Sequence, residues 1–267
     1  MNYSINLSYD WPHLSEQESC RRIKQAGFTH SFSFWSAKDN HAAHFSQIEN
    51  IRAAGLCVET VHLDFDSIND MWLDNENGQS LCEFFVKCTD GARECGVPVL
   101  IIHLSSSFTP PPLSKIGIER YRRICDRAGE NSVAIAFENL RRTDYLDRIM
   151  DEFAEISSAR FCFDCGHENL YNRGEGVLEA HSDKLSALHL HDNFGMSDDH
   201  MLPFDGKINW ERLSARLAPV MGELPLTIET HMQNSGRLEY GGERFLDTAM
   251  ERAKRLAAMV ERERASL

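Results

Sequence analysis

Six apolar runs in this chain each end in a side chain able to bind a metal or move a proton. VETVHL carries His62, VLIIHL carries His103 and VAIAFE ends on Glu138. RFCFD ends on Asp164, LSALHLH on His189 and His191, and LTIE on Glu229. Glu138, Asp164, His189 and Glu229 together offer three carboxylates and one imidazole, a donor set suited to Mn, Co, Mg or Zn. His62 and His103 would add two more imidazoles. Each residue also has a plainer reading. A single strand-end histidine is as often a hydrogen-bonded core residue as a ligand. The acids are harder to set aside, because a buried carboxylate without a partner is costly. Three of them close together would repel one another unless a cation neutralised them.

Two neighbouring segments could extend the set. Asp164-Cys-Gly-His167 puts His167 just beyond a strand end, and Asp198-Asp-His200 lies in the following polar loop. Both could fold over the same rim. Trp35, last residue of FSFW, is expected at the rim as a platform for substrate. Arg141 and Arg142 could receive an anionic substrate group, against the plainer reading of a solvated helix start. Cys162 and Cys165 form a CxxC, but Asp164 lies between them and no second CxxC exists. They read as ordinary thiols rather than a zinc or redox pair.

The elements that must position these residues alternate along the chain. Runs of Val, Ile, Leu and Phe without polar alternation read as strands buried on both faces, as in a parallel sheet. Strands are expected at 3–8, 28–35, 57–63, 98–104, 133–138, 160–164, 184–191 and 224–230. Helices are expected at 15–27, 41–55, 77–96, 115–129, 144–157, 167–181, 209–218 and 242–265, the sixth broken near Gly174 and Gly176. Ser15 with Glu18 signals a helix start and Gly27 its end. Three prolines make 105–112 a rigid loop. Eight strands and eight helices in alternation predict an α/β fold, a parallel (β/α)8 TIM barrel with outer helices, as one domain over 1–267. Closing the sheet would bring every strand's C-terminal end to one rim, where such barrels place their chemistry. A doubly wound open sheet is the alternative, and the strand count disfavours it.

Composition bounds the partners. The chain has 267 residues, the usual length for one such barrel, with 42% hydrophobic and 26% charged residues. A net charge of −13 argues against a broad nucleic-acid surface and favours cations at the site. MNYSINLSYD lacks a charged-then-apolar pattern, so no signal peptide is expected, and no apolar run approaches roughly 18 residues, so no membrane span is expected. The eight cysteines are scattered and read as free thiols in a reducing cytoplasm. A homo-oligomer is compatible with the sequence, though no segment specifies one.

With these motifs in view, the chain resembles the xylose isomerase-like TIM barrel superfamily, in its sugar phosphate isomerase/epimerase branch, related to endonuclease IV. The resemblance spans nearly the whole chain. It is carried by FENL (137–140), FDCGH (163–167), HLHDNFG (189–195), DDHMLPFDGKINW (198–210) and IETH (228–231). The epimerases of that group hold one divalent metal on Glu, Asp, His and Glu. The resemblance puts those roles on Glu138, Asp164, His189 and Glu229. The endonuclease branch holds three zincs on nine ligands, which would fall here on His62, His103, Glu138, Asp164, His167, His189, Asp198, His200 and Glu229. The segments after His62 (DFDSINDMWLD) and His103 (LSSS) depart from that branch, which speaks against DNA repair.

The expected activity is isomerisation or epimerisation of a small sugar, sugar phosphate or polyol derivative through a metal-stabilised enediolate. Glu138 and Glu229 would move the proton, and His62 and His103 would relay protons or hold substrate hydroxyls. An inosose-type dehydratase would share the first step. A multi-zinc phosphodiesterase of AP endonuclease type is the rival enzyme, and a non-catalytic sugar- or metal-binding barrel is the third reading. One divalent metal (Zn, Mn or Co) is expected, with up to three accommodated.

Overall fold

A computed structural model of the chain describes residues 1–10, 12–174, 176–232 and 241–267. Its eight parallel strands are β1 (Tyr3–Asn6), β2 (His30–Trp35), β3 (Cys57–Leu63), β4 (Val99–Ile102), β5 (Ala134–Glu138), β6 (Ala159–Asp164), β7 (Leu185–His189) and β8 (Leu226–Ile228). Each strand pairs with the next, and β1 also pairs with β8. The ring closes between β7 and β8, where the Leu190 amide donates to the Thr227 carbonyl at 2.9 Å and the Glu229 amide to the Leu190 carbonyl at 3.2 Å. The chain is therefore a (β/α)8 TIM barrel.

Helices cover the outside: α1 (Glu16–Gln25), α2 (His41–Ala53), α3 (Glu76–Cys95), α4 (Lys115–Glu130), α5 (Thr143–Glu152), α6 (Cys165–Tyr171), α7 (Val177–His181), α8 (Trp210–Leu217) and α9 (Gly241–Arg264). Ser15, Asn40, Asn75 and Ser114 cap the first four by accepting from backbone amides. The helix expected at 167–181 is two short ones, α6 and α7, separated at the glycines. A 3₁₀ turn at Ile68–Trp72 is an addition that the sequence pattern did not signal. No helix among the described residues is long and apolar enough to cross a membrane.

Side chains alternate across each strand, and this alternation builds the site. Phe137, Phe161, Phe163 and Leu188 face outward into the apolar layer beneath the helices. Ile101, Ala136, Cys162 and Ala187 face inward and pack on one another in the barrel axis. Two residues further along the chain come His103, just past β4, and Glu138, Asp164 and His189 at the ends of β5, β6 and β7. The register sets Asp164 beside His189 and Glu138 beside Cys162 of that floor, so these acids and imidazoles stand on and just above it.

Candidate metal centre

Glu138, Asp164, His189 and Glu229 each offer one ligand atom, and these atoms all lie within 4.8 Å of one another. Their strands are β5, β6 and β7, with Glu229 one residue beyond β8. The His189 Nδ1 lies 3.3 Å from Glu138 Oε1 and 3.1 Å from Glu229 Oε2. Among the described residues, none of the four has a Lys or Arg partner: the ion pairs of the three acids are with histidines. His62 and His103 form a second group with the other oxygen of Glu138: their Nε2 atoms lie 3.2 and 3.1 Å from Oε2. Glu138 thus stands at the junction of both groups.

A third group joins His167, Asp198 and His200 to His191, again with ligand atoms within 4.8 Å. The His167 Nε2 is 3.1 Å from Asp198 Oδ2, and the rings of His191 and His200 stack with centroids 4.0 Å apart. His191 lies outside the ligand set expected from the sequence. The signal was present, because the alternation that turns His189 inward brings His191 back to the same side. Its Nε2 lies 3.1 Å from Asp164 Oδ1, which ties this group to the first.

Several neighbours fix these side chains. The Asn139 amide clips β5 to β6, donating to the Asp164 carbonyl and accepting from the Asp164 amide, both at 2.8 Å. Asp164 also caps α6, accepting from the His167 amide at 2.6 Å. Asn6 accepts from the Thr230 amide at 3.0 Å, and the Thr230 hydroxyl donates to the His200 carbonyl at 2.8 Å. That chain of bonds seats the His200 loop against the end of β8. Its backbone is strained there: His200 has φ of 46°, a left-handed conformation that non-glycine residues rarely adopt. Asp192, fully buried, gathers the loop by accepting from the Phe204 and Ile208 amides and the Trp210 indole.

Charge within the site is set by the contest between burial and neighbours. Burial alone would raise the pKa of Glu138, but His189, His103 and His167 outweigh it and hold the carboxyl well below the usual range. Glu229 follows the same pattern under His189 and His200, and Asp198 under His167 and His200. Burial opposes a charged His189, yet Cys162, Glu229 and Glu138 keep its pKa well above the ordinary value. His167 behaves likewise beside Asp164, Asp198 and Glu138, and His200 is pushed up to about 9 against its own burial. For His103 burial wins, and its pKa falls. Protonated imidazoles therefore balance the acids in this state. A divalent cation could take over that role on the same donors, and the mixed oxygen and nitrogen set fits one.

A cavity of about 340 Å³ opens over these groups, lined also by Phe34, Phe65, Ser105 and Arg141. Arg141 is part of its wall. Trp35 is not: it is 1% exposed and points outward, its indole stacked on the His44 ring at 4.9 Å. Phe34, on the other side of β2, takes the place expected of it, packing on His62 with ring centroids 5.8 Å apart. Cys162 lies in the apolar floor, while the Cys165 thiol donates to the His191 carbonyl outside it. No disulfide links any of the eight cysteines. A further acid was not foreseen. Glu59 is buried within the barrel, accepting from the Thr227 hydroxyl at 2.6 Å, and burial pushes its pKa up to about 7.

The family model described as Xylose isomerase-like TIM barrel matches residues 20–261. The chain belongs to the xylose isomerase-like TIM barrel family. Within it, this barrel is similar to the crystal structure of a D-tagatose 3-epimerase-like protein, at TM-score 0.78 and 17% identity over 98% of this chain and 99% of the other. It is also similar to D-psicose 3-epimerase from Clostridium cellulolyticum H10, at TM-score 0.73 and 12% identity over 99% of each chain. At such identities the likeness speaks to the fold. A curated relative is the uncharacterized protein y4fM of Sinorhizobium fredii (strain NBRC 101917 / NGR234), 34% identical over 167 residues. That match covers 58% of this chain and 54% of the relative, so the chain spans about half the length of the curated protein it matches.

Proposed function

We propose that this family member is a divalent-metal-dependent isomerase or epimerase of a small sugar derivative. The observation that carries the reading is the convergence of Glu138, Asp164, His189 and Glu229, brought together from four strand ends. These four would hold the cation. Bound there, a divalent cation would supply Lewis acidity toward a substrate carbonyl and its neighbouring hydroxyl. Glu138 and Glu229 flank the same space and keep their carboxylates ionised, as a general base requires. One would take the proton beside the carbonyl, and the other would return it. His62 and His103, at the cavity wall, would hold or relay the hydroxyl protons. Phe34 and Phe65 give the carbon skeleton an apolar wall. The names of the similar solved structures, which include 3-epimerases, support this class. Eight free cysteines fit a reducing compartment, and a cytoplasmic setting goes with the proposal.

The test is exchange of substrate C–H protons in deuterated water across a ketose panel, with metal supplied and then removed by chelation. Metal-dependent exchange is expected. Full metal occupancy without exchange on any sugar would leave a non-catalytic binding barrel.

A second reading has its own observation. Three adjacent ligand groups, one of them sharing Glu138 with the first, could hold a multi-zinc cluster suited to splitting a phosphodiester. Metal content separates the two readings: one equivalent supports the isomerase, and two to three zincs support the hydrolase.

A further inference from the structure

Among the described residues lining the cavity, Arg141 alone carries a permanent positive charge. Its guanidinium lies over the Tyr171 ring at 4.9 Å and near the Phe108 ring at 5.8 Å. Tyr171 in turn packs against His167, with ring centroids 5.8 Å apart. The cation is therefore one aromatic ring away from the ligand groups. Stacking on ring faces restrains the plane of a guanidinium but consumes none of its five N–H donors. Those donors find no carboxylate among the described residues. The adjacent Arg142 shows the contrast: it grips Asp144 through two bonds, at 2.8 and 2.7 Å, at the start of α5. In a chain with 41 acidic and 28 basic residues, a half-buried arginine without an acidic partner is conspicuous. Its planar fork matches a carboxylate or phosphate in two parallel bonds. Ser105 and Ser106 line the same cavity and could add donors.

We propose that the substrate carries an anionic group, phosphate or carboxylate, seated on Arg141 at the end remote from the reacting carbon. This rests on the isomerase reading above. A cavity of about 340 Å³ lies at the small end of the range for ligand sites and fits one sugar with one such group.

The experiment compares D-fructose, D-fructose 6-phosphate and D-fructuronate as probes of proton exchange, using metal-loaded wild type, Arg141→Gln and Arg141→Lys. The wild type is expected to favour a charged probe, and the phosphate and uronate arms tell which anion. In Arg141→Gln the charged-to-neutral ratio of kcat/KM should fall roughly ten- to a hundredfold, mainly through KM. Arg141→Lys should recover part of it. An unchanged ratio in the glutamine variant, or a wild type that favours the neutral sugar, overturns the proposal. If no probe exchanges, the isomerase reading fails while the anion site is still tested. Thermal stabilisation of the metal-loaded protein by inorganic phosphate, or by glycolate, should then need roughly tenfold more anion in Arg141→Gln. Equal titrations with both anions would overturn it.

Discussion

Glu138 and Glu229 both reach His189 Nδ1, at 3.3 and 3.1 Å, but their surroundings differ. Glu138 is shared by two ligand groups, whereas Glu229 belongs to one, with His189 and His200 nitrogens at 3.1 and 3.8 Å. Glu229 is thus the cleaner residue to alter. Glu229→Gln keeps the shape and removes the base. Turnover should fall by roughly two to four orders of magnitude with the far-ultraviolet circular dichroism spectrum unchanged. Activity retained in this variant would remove Glu229 from the mechanism. His200 tests the third group. If the first four ligands act alone, His200→Ala should cost less than roughly tenfold in kcat, whereas a working cluster would lose far more. At this scale much of the site was legible: an acid or imidazole at the end of each buried run is costly without a shared partner, so convergence followed from physics. Glu59 was not legible. An extra residue in β3 shifts its pairing with β2 between Ser31 and Ser33. Glu59 and His62, three apart, can then both serve the barrel interior, which strict alternation forbids.

Strands and loops explain the remaining successes and failures. Buried apolar runs marked all eight strands, although the pairing ends earlier than the apolar residues do. β4 stops at Ile102 and β8 at Ile228, so His103 and Glu229 begin the loops above the rim. Parity along β2 decides where its aromatic side chains point. Phe32 and Phe34 share one face of β2, and Trp35 must take the other. The cross-strand clip at Asn139 and the close approach at Gly166 were invisible for a different reason, since both depend on neighbours distant in sequence. They yield predictions. Asn139→Ala should lower metal affinity roughly ten- to a hundredfold by freeing Asp164 without touching a ligand, read by competition with a chromophoric chelator. A Cβ on Gly166 would come within 2.0 Å of the His191 ring. Gly166→Ala should therefore displace His191 and weaken the third group, while the equivalent substitution at exposed Gly176, which has nothing within 4 Å but φ of 90°, should cost backbone strain alone. Metal titrations that left Gly166→Ala identical to wild type would contradict that placement.

The whole molecule carries a pH signature from its interior. Burial raises the Glu59 pKa from its ordinary value of 4.5 to about 7, so the folded state prefers the protonated acid. Unfolding frees the group to ionise at its lower value. The associated stability is complete below about pH 4.5, is lost as pH rises toward 7, and stays lost above it. Glu59→Gln removes a titrating group and retains an acceptor for Thr227. It should gain stability relative to wild type from pH 5 to pH 8, by at most about 3 kcal/mol, measured by denaturant unfolding. A gap that did not widen with pH would mean that Glu59 is ionised in the fold. Fold class was readable from alternation and length together. Substrate identity was not, because side chains such as Arg141, Phe108 and Tyr171 come from segments distant in sequence and meet only after the barrel closes.

The claim beneath all of this is that acids and imidazoles from separate strands share a bound divalent cation. Elemental analysis of protein purified without chelator, paired with Asp164→Ala, tests it most directly. At least one equivalent of Mn, Co or Zn per chain is expected in wild type, falling severalfold or more in the variant. A wild type that holds no divalent cation even after incubation with each metal, or an Asp164→Ala variant that holds as much as wild type, would contradict it.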